Sequence, residues 1–515
     1  MSETEKNEEP AEEGADTSAP EGEGVETKAR RGALFVLLGY GGSQVLRLVG
    51  NLILTRLLFP EAFGIMGLIQ VVLTGLELFS DVGIGPSLIQ NDRRDSAFVN
   101  TAWSMQVGRG GLLYLTACAL AYPMAGYYDE PTLVYLLPLV GLNALCAGFN
   151  STRIFTLNRD LSLGRIEIMI FGSQLLGQIV MVTWALISPS VMALVAGSLT
   201  TGFSRTLLTH VYLPGEKNRL AWDKSAVTEL VRFGRWIFLG TILTFVATQS
   251  DRLIFGKIVS LDELGVYFIA LNIAMLPAEA LGKLTTQIIF PVYSKVRERD
   301  GDFHGIFEST RSSLLIAAGW AFAGLVAGGP TAIDLLYDAD YFAAGWQVQL
   351  LAMGGWWLIL ARTYEAALFA AGVPKWNSLA SFMKILAMGA FIPLGYWLGE
   401  GVGGYGFHGA IAGFAASEVV RYFAAAASSR RIGMSGFAQD FRFTFLVALS
   451  SGVGGAAEYF MRIWDWNILV RCALVAVVVT VFWVPLAWPL LRDRLRARRE
   501  RRAAHDAYVA ANPDA

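Results

Sequence analysis

Charge is the property that this sequence has least of. Only 16% of its 515 residues are Asp, Glu, Lys or Arg, whereas 54% are hydrophobic. Ordinary soluble proteins carry about 25% charged residues. A chain so poor in charge cannot cover two soluble domains with polar surface, so we expect most of it to lie in lipid.

Cysteine and the motifs of common catalytic sites are also scarce or missing. The three cysteines all lie within apolar runs, so no disulfide framework is expected. The sequence has no GxxxxGK[ST] loop, HExxH, CxxC pair or GxSxG. GVGGYG at 401–406 matches GxGxxG, but no strand-like segment precedes it, and we interpret it as a turn between helices. We therefore expect no enzyme, no ATPase of its own and no cofactor.

What the sequence does contain is a long series of apolar runs. A helix needs about 20 such residues to cross about 30 Å of hydrocarbon, and the ten-residue alternation typical of barrels is missing. About fourteen transmembrane helices are predicted, at 32–57, 62–84, 97–122, 131–152, 163–187, 190–212, 232–256, 263–290, 304–328, 343–371, 376–398, 404–427, 441–460 and 467–490. The predicted fold class is an all-α polytopic membrane protein.

The distribution of basic residues predicts the orientation. Lys and Arg cluster in every second connection, for example at Arg93 and Arg94, and the intervening turns hold few. Because basic loops stay on the cytoplasmic side, both termini are predicted to be cytoplasmic. The first 27 residues are acidic and resemble a disordered tail, without a cleavable signal peptide.

Two stretches of the chain recur after six predicted spans. RLLFPEAFGIMGL at 56–68 aligns with KIVSLDELGVYFI at 257–269, and LVAGSLTTGFSR at 194–205 aligns with AIAGFAASEVVR at 410–421. Because six is even, the copies are parallel repeats, as in two-lobed transporters. The predicted organisation is an acidic tail (1–31), an N-lobe (32–213), a cytoplasmic linker (214–231), a C-lobe (232–428), two extra helices (429–490) and a basic cytoplasmic tail (491–515).

The first repeated stretch also resembles a known family. RLLFPEAFGIMGL followed by LFSDVGIGPSLIQ at 78–90 is similar to the opening of the polysaccharide transport proteins, the O-antigen and exopolysaccharide flippases of the multidrug/oligosaccharidyl-lipid/polysaccharide (MOP) exporter superfamily. The resemblance implies a V-shaped two-lobed bundle in the bacterial inner membrane. It also implies that the bundle moves a polyprenyl-diphosphate-linked oligosaccharide to the outer leaflet by alternating access.

Several ionisable residues fall inside the predicted spans. An ion at mid-membrane costs roughly 2.5–3.5 kcal/mol on insertion scales, so such residues normally face a bundle interior or a wet cavity. Most of the deep charge is positive, which suits a diphosphate because its oxygens accept charge-assisted hydrogen bonds. The candidate diphosphate-binding residues are Arg109, Arg47, Lys283, Arg311, Arg362 and Lys384. Pairing with a neighbouring carboxylate or snorkelling to an interface is the competing explanation for each of them.

The acidic residues of the spans form a second set. Glu77 and Asp81 lie four apart on one helical face, and Glu279 and Lys283 repeat that spacing in the second half. The candidate ion-coupling or gate residues are Glu77, Asp81, Glu279 and Glu365. Either one acid carries a coupling H⁺ or Na⁺, or the acids close the cavity mouth by pairing with Arg93, Arg94 or Arg297.

Three functions remain open on the sequence. The first is a lipid-linked oligosaccharide flippase working with a polysaccharide polymerase and glycosyltransferases. The second is an ion-coupled small-molecule antiporter, against which the positive sign of the deep charge argues. The third is a scaffold of a polysaccharide assembly complex that transports nothing. Nucleic acid is not an expected partner, and membrane lipids are.

Overall fold

Most of the residues that the structure of this protein describes lie in helices. The computed structural model describes residues 25–511, apart from 81–82, 91–92, 94, 160–162, 286–288, 290–292 and 294–302. These residues contain no β-strand and sixteen α-helices. They are α1 (Val25–Leu54), α2 (Pro60–Phe79), α3 (Ile84–Gln90), α4 (Ser96–Tyr128), α5 (Leu133–Gly148), α6 (Arg153–Arg159), α7 (Leu163–Ile187), α8 (Val191–Val211), α9 (Lys224–Ile258), α10 (Leu261–Leu284), α11 (Phe303–Leu336), α12 (Ala344–Ala370), α13 (Lys375–Gly401), α14 (Gly406–Arg430), α15 (Phe437–Ile463) and α16 (Ile468–Ala511).

Each predicted span overlaps one long helix. Within the described ranges, eight helices are long and apolar enough to cross a membrane, or nine if the bent pair α5 and α6 forms one span. The other helices do not meet that test of length and composition, so the count of fourteen transmembrane helices stays a prediction.

The helices also extend beyond the predicted boundaries. α1 starts at Val25 inside the predicted tail, α9 starts at Lys224 inside the predicted linker, and α16 continues to Ala511. The short helices α3 and α6 were not predicted.

The two repeated stretches start their helices with different chemistry. In α2, Pro60 stands in the first turn, where its missing N–H costs nothing, and Glu61 follows it. In α10, the Ser260 hydroxyl accepts from the backbone N–H of Glu263 at 3.2 Å, and the Glu263 carboxylate accepts from the backbone N–H of Ser260 at 3.1 Å, a capping box. Both starts place an acidic residue at the positive end of a helix.

The two halves use the same helix pairings. In the first half α4 packs on α5, α5 on α8, α7 on α8 and α1 on α7. In the second half the equivalent pairs are α11 with α12, α12 with α14, α13 with α14 and α9 with α13. This correspondence is the pattern expected of the parallel repeats in the sequence.

The halves meet where α2 crosses α10. A Cβ atom at Gly64 would overlap the carbonyl oxygen of Leu261, and one at Gly265 would overlap that of Pro60. Only glycine allows the two backbones to approach this closely. The Glu61 backbone N–H also donates to the Asp262 carboxylate at 3.1 Å. The aligned glycines of the repeat therefore meet each other at one end of the molecule.

The last two helices belong to the second half. Both α15 and α16 pack on α11 and on each other. Arg462 and Arg471 donate to the Asp334 carboxylate at 2.6 and 3.2 Å, which ties both helices to the end of α11.

Candidate functional site

A cavity of about 840 Å³ lies between the two halves. Helix α1 of the first half forms one wall, and α10 and α12 of the second half form the others. It is lined by Tyr40, Arg47, Glu279, Gly282, Lys283, Thr285, Arg362, Glu365, Ala366 and Phe369. Three of the six predicted diphosphate-binding residues and two of the four predicted acids therefore share one space.

Arg47 projects from α1 into this cavity. Its guanidinium donates to the side-chain oxygen of Gln44. The Gln44 amide in turn donates to the Glu279 carboxylate at 3.2 Å and to the Tyr40 hydroxyl at 2.8 Å. The neutral Gln44 therefore links Arg47 of the first half to Glu279 of the second without an ion pair between them.

The second cation, Lys283, lies across the cavity on α10. Its ammonium group stands 3.5 Å from the ring centroid of Tyr40, a cation–π contact between the halves. A ring face stabilises an ammonium ion, and the Glu167 carboxylate on α7 also lies within electrostatic range of Lys283.

Arg362 enters the cavity from α12. Its guanidinium donates to the backbone carbonyl of Ala278 at 2.9 Å, and Gly282 leaves the space for this approach. On the same helix the Glu365 carboxylate accepts two hydrogen bonds from Arg421, at 2.8 and 3.0 Å. Because that fork neutralises Glu365, this acid does not offset Arg362.

The cavity wall is therefore electropositive. Among the residues that the structure describes, neither Arg47 nor Arg362 has a carboxylate at ion-pair distance. Lys283 adds a third positive charge, and the acids within electrostatic range of it are Glu279 in the lining and Glu167 on α7. An anion entering from solvent would meet three cations on three helices.

A narrower pocket of about 110 Å³ continues from this cavity along α1 and α10. It shares Arg47 and Glu279 with the larger space. Its lining is Gln44, Arg47, Leu48, Asn51, Ile269, Asn272, Ile273, Leu276, Glu279 and Tyr337. Polar and apolar side chains alternate around it.

Arg109 lies outside both spaces. Its guanidinium donates to the Ser80 hydroxyl at 2.9 Å and to the backbone carbonyl of Glu77 at 2.6 Å. These acceptors are at the carboxyl end of α2, where a cation offsets the negative end of the helix dipole. The structure thus corrects the expectation that Arg109 lines the cavity, because its charge caps a helix.

Arg311 and Lys384 lie in buried ion pairs away from the cavity. Arg311 pairs with Asp440, and their side chains are 0% and 3% exposed. The Lys384 ammonium is 2.6 Å from the Glu418 carboxylate, with side chains 3% and 5% exposed. Both cations were expected to face the substrate, and the structure shows that a neighbouring helix supplies an acid to each instead.

The four predicted acids do not all lie in the cavity either. Glu279 and Glu365 line the cavity, and Asp81 lies outside the described residues. The Glu77 carboxylate lies within electrostatic range of Arg109 and Arg205. Arg93 pairs with Asp95, Asp223 and Glu229 at 3.0, 3.4 and 3.5 Å. Arg94 and Arg297, the other expected partners of these acids, lie outside the described residues.

Some residues of the site were not singled out in the sequence. Tyr40, Gln44, Arg47 and Asn51 are spaced i, i+4, i+7 and i+11 on α1, and all four line the cavity or the pocket. Asn272, Glu279 and Lys283 form the same kind of stripe on α10. A polar stripe with helical spacing inside an apolar span would have identified both faces.

Comparison with known proteins gives matches in family and in fold. The profile of the family described as polysaccharide biosynthesis protein matches residues 53–344, more than half of the chain. The lipopolysaccharide biosynthesis protein WzxC of Escherichia coli (strain K12) is 24% identical over 271 residues, which are 52% of this chain and 53% of WzxC.

Two solved structures are similar to this one. The lipid II flippase MurJ in an inward closed conformation has a TM-score of 0.65 at 12% identity, covering 90% of this chain and 100% of MurJ. An inward-facing multidrug resistance MATE family transporter of the MOP superfamily has a TM-score of 0.58 at 12% identity, covering 75% of this chain and 94% of the transporter. At this identity the likeness shows the fold, and it confirms the predicted all-α polytopic class. The chain spans about half the length of WzxC.

Proposed function

Because the chain belongs to the polysaccharide biosynthesis protein family, we propose that it is a flippase for a lipid-diphosphate-linked oligosaccharide. It moves this substrate across the bacterial cytoplasmic membrane by alternating access, for polysaccharide export. The observation that carries the proposal is the cavity between the halves, where Arg47, Lys283 and Arg362 face one space.

The chemistry of a diphosphate suits this cavity. Its oxygens accept forked hydrogen bonds from guanidinium groups, and such charge-assisted bonds are about twice as strong as neutral ones. The two arginines come from opposite halves, so a diphosphate held by both would bridge α1 and α12. A drug-like cation would be repelled by the same three charges, which argues against the small-molecule antiporter despite the fold it shares with MATE transporters.

The cavity also suggests which side the protein faces. The contact of Gly64 with Gly265 closes one end, and basic connections predict that this end is extracytoplasmic. Both termini are then cytoplasmic, and the cavity of α1, α10 and α12 is open to the cytoplasmic side. Substrate arriving from cytoplasmic glycosyltransferases would enter there, and a polymerase on the other side would receive it.

An ion gradient is the proposed energy source, because the sequence has no nucleotide-binding loop. Glu279 is the acid best suited to carry the coupling H⁺ or Na⁺. It lies between the halves and accepts hydrogen bonds from neutral donors, Gln44 at 3.2 Å and Tyr40 at 3.5 Å. Glu365 is less suited, because Arg421 already occupies both of its oxygens.

Transport in proteoliposomes tests the proposal. A fluorescent polyprenyl-diphosphate sugar is placed in one leaflet, and its movement is followed by quenching from outside. Arg47→Gln removes a cation that donates to the neutral Gln44, and Arg362→Gln removes a second cation. Each is expected to slow transport about tenfold to a hundredfold, the value of a charge-assisted hydrogen bond.

Arg219→Gln is the matched control, because Arg219 is exposed and distant from the cavity lining. It should transport at the wild-type rate. Equal rates in all three variants would refute the role of the cavity cations. Movement of a cationic dye instead of the lipid would favour the antiporter, and no movement of several lipid-linked sugars would favour a scaffold.

A further inference from the structure

The narrow pocket beside the cavity has polar groups that the protein itself does not use. The side-chain amides of Asn51 and Asn272 and the hydroxyl of Tyr337 line it. Within the described part of the chain none of the three makes a side-chain hydrogen bond, although the neighbouring Gln44 makes several. Donors and acceptors without a protein partner on facing helices can bind a ligand that supplies the partners.

The pocket continues directly from the cations. Arg47 and Glu279 line both spaces, so whatever fills the pocket touches the group held by Arg47. Along α1 the pocket extends from Arg47 past Leu48 to Asn51, toward the end of the helix that precedes the crossing of α2 and α10. Its occupant is therefore attached to the diphosphate on the side of the closed end.

The size and lining of the pocket restrict that occupant. A water molecule needs roughly 10–15 Å³ of cavity volume, so about 110 Å³ holds a group that replaces several waters. The amides of Asn51 and Asn272 can each donate and accept, which suits vicinal hydroxyls. Leu48, Ile273 and Leu276 supply apolar surface between them, which suits the C–H face of a ring.

We propose that this pocket binds the first monosaccharide of the substrate, the one joined to the diphosphate, through the side chains of Asn51, Asn272 and Tyr337. This inference rests on the proposed function and adds a sugar-reading subsite to it. A polyprenyl chain, the other neighbour of a diphosphate, would leave the amides of Asn51 and Asn272 without partners, and such groups cost free energy when they are desolvated.

The test compares two ligands that differ in one group. Purified protein in detergent is titrated with a short-chain polyprenyl diphosphate, and separately with the same lipid carrying one hexose. Asn51→Leu combined with Asn272→Leu keeps the volume of both side chains and removes their hydrogen bonding. We expect the double variant to bind the hexose-bearing lipid about tenfold more weakly, and the sugar-free lipid as wild type does.

Control variants distinguish a loss of folding, a loss of diphosphate binding and a loss of sugar binding. Asn158→Leu changes an exposed asparagine of α6 outside both spaces and should alter neither affinity. Tyr337→Phe removes a single hydroxyl and gives a second measurement if the double variant unfolds. If the double variant binds both ligands more weakly by the same factor, or binds both as wild type does, the sugar subsite is refuted. Loss of both affinities in Arg47→Gln supports the diphosphate grip independently, and unchanged affinities there would count against the proposed function itself.

Discussion

Replacing Arg311 by Met tests whether this arginine holds the fold together or holds the substrate. Arg311 on α11 is fully buried and pairs with Asp440 on α15, and it donates to the Thr363 hydroxyl at 2.8 Å. Asp440 also accepts from the hydroxyls of Tyr364 and Tyr422 at 2.6 and 2.8 Å. The group therefore joins α11, α12, α14 and α15 at one point, away from the cavity.

The expected cost comes from the acid left behind. Removing one partner of a buried ion pair costs about 3–5 kcal/mol, because the remaining charge is desolvated without compensation. In Arg311→Met, Asp440 keeps its two tyrosine donors, so we expect the free energy of unfolding to fall by about 3 kcal/mol, the low end of this range. Asp440→Asn in the same chain removes the orphaned charge, so the double variant should recover about 2 kcal/mol as a coupling energy.

Two measurements decide the outcome. Thermal unfolding in detergent should show a lower apparent melting temperature for Arg311→Met and partial recovery in the double variant. Transport per folded molecule should stay close to that of wild type. An Arg311→Met protein that melts like wild type but no longer transports would refute this reasoning, and it would restore the expectation from the sequence that Arg311 contacts the diphosphate.

Two further predictions concern the ends of the molecule. Gly265→Leu should push α2 and α10 apart where they cross. A cysteine that replaces Asn272 should then react faster with an impermeant maleimide added from outside. Gly108→Leu is the control, because a Cβ at Gly108 meets open space. The Arg93 guanidinium lowers the pKa of the Asp95 carboxyl, so this contact stabilises the protein above the ordinary Asp pKa of about 3.9 and is lost as pH falls through the lower folded value. Asp95→Asn keeps the helix cap, and its melting temperature should therefore depend less on pH below about 4 than that of wild type.

The order of helices could be predicted from the sequence because lipid imposes a simple rule. A span must be apolar for about 20 residues, and each predicted run overlaps a long helix. The rule says nothing about helices that are much shorter than a span. α3 and α6 are too short to form an apolar run, and the extension of α16 past the span is polar. None of these three segments therefore carried a hydropathy signal.

The sequence predicts which charged residues lie on long apolar helices, but it does not predict their partners. Lys384 and Glu418 pair across α13 and α14, and the sequence does not specify how two neighbouring helices are rotated about their axes. The cavity is different, because its polar residues repeat along single helices. Gln44, Arg47 and Asn51 share one face of α1 through spacing alone, so this part of the site was within reach of the sequence.

The repeat explains why some features of the site occur twice and others only once. Gly64 and Gly265 face each other at the crossing, so both copies meet the same steric demand and both need glycine. The cavity cations do not follow this rule: the alignment that pairs these glycines puts Thr248 opposite Arg47. A lipid-linked sugar has a chain at one end and a glycan at the other, without twofold symmetry. A cavity that binds such a molecule must therefore be less symmetric than the helices that form it. This cavity is, because the first half supplies one cation and the second half supplies two.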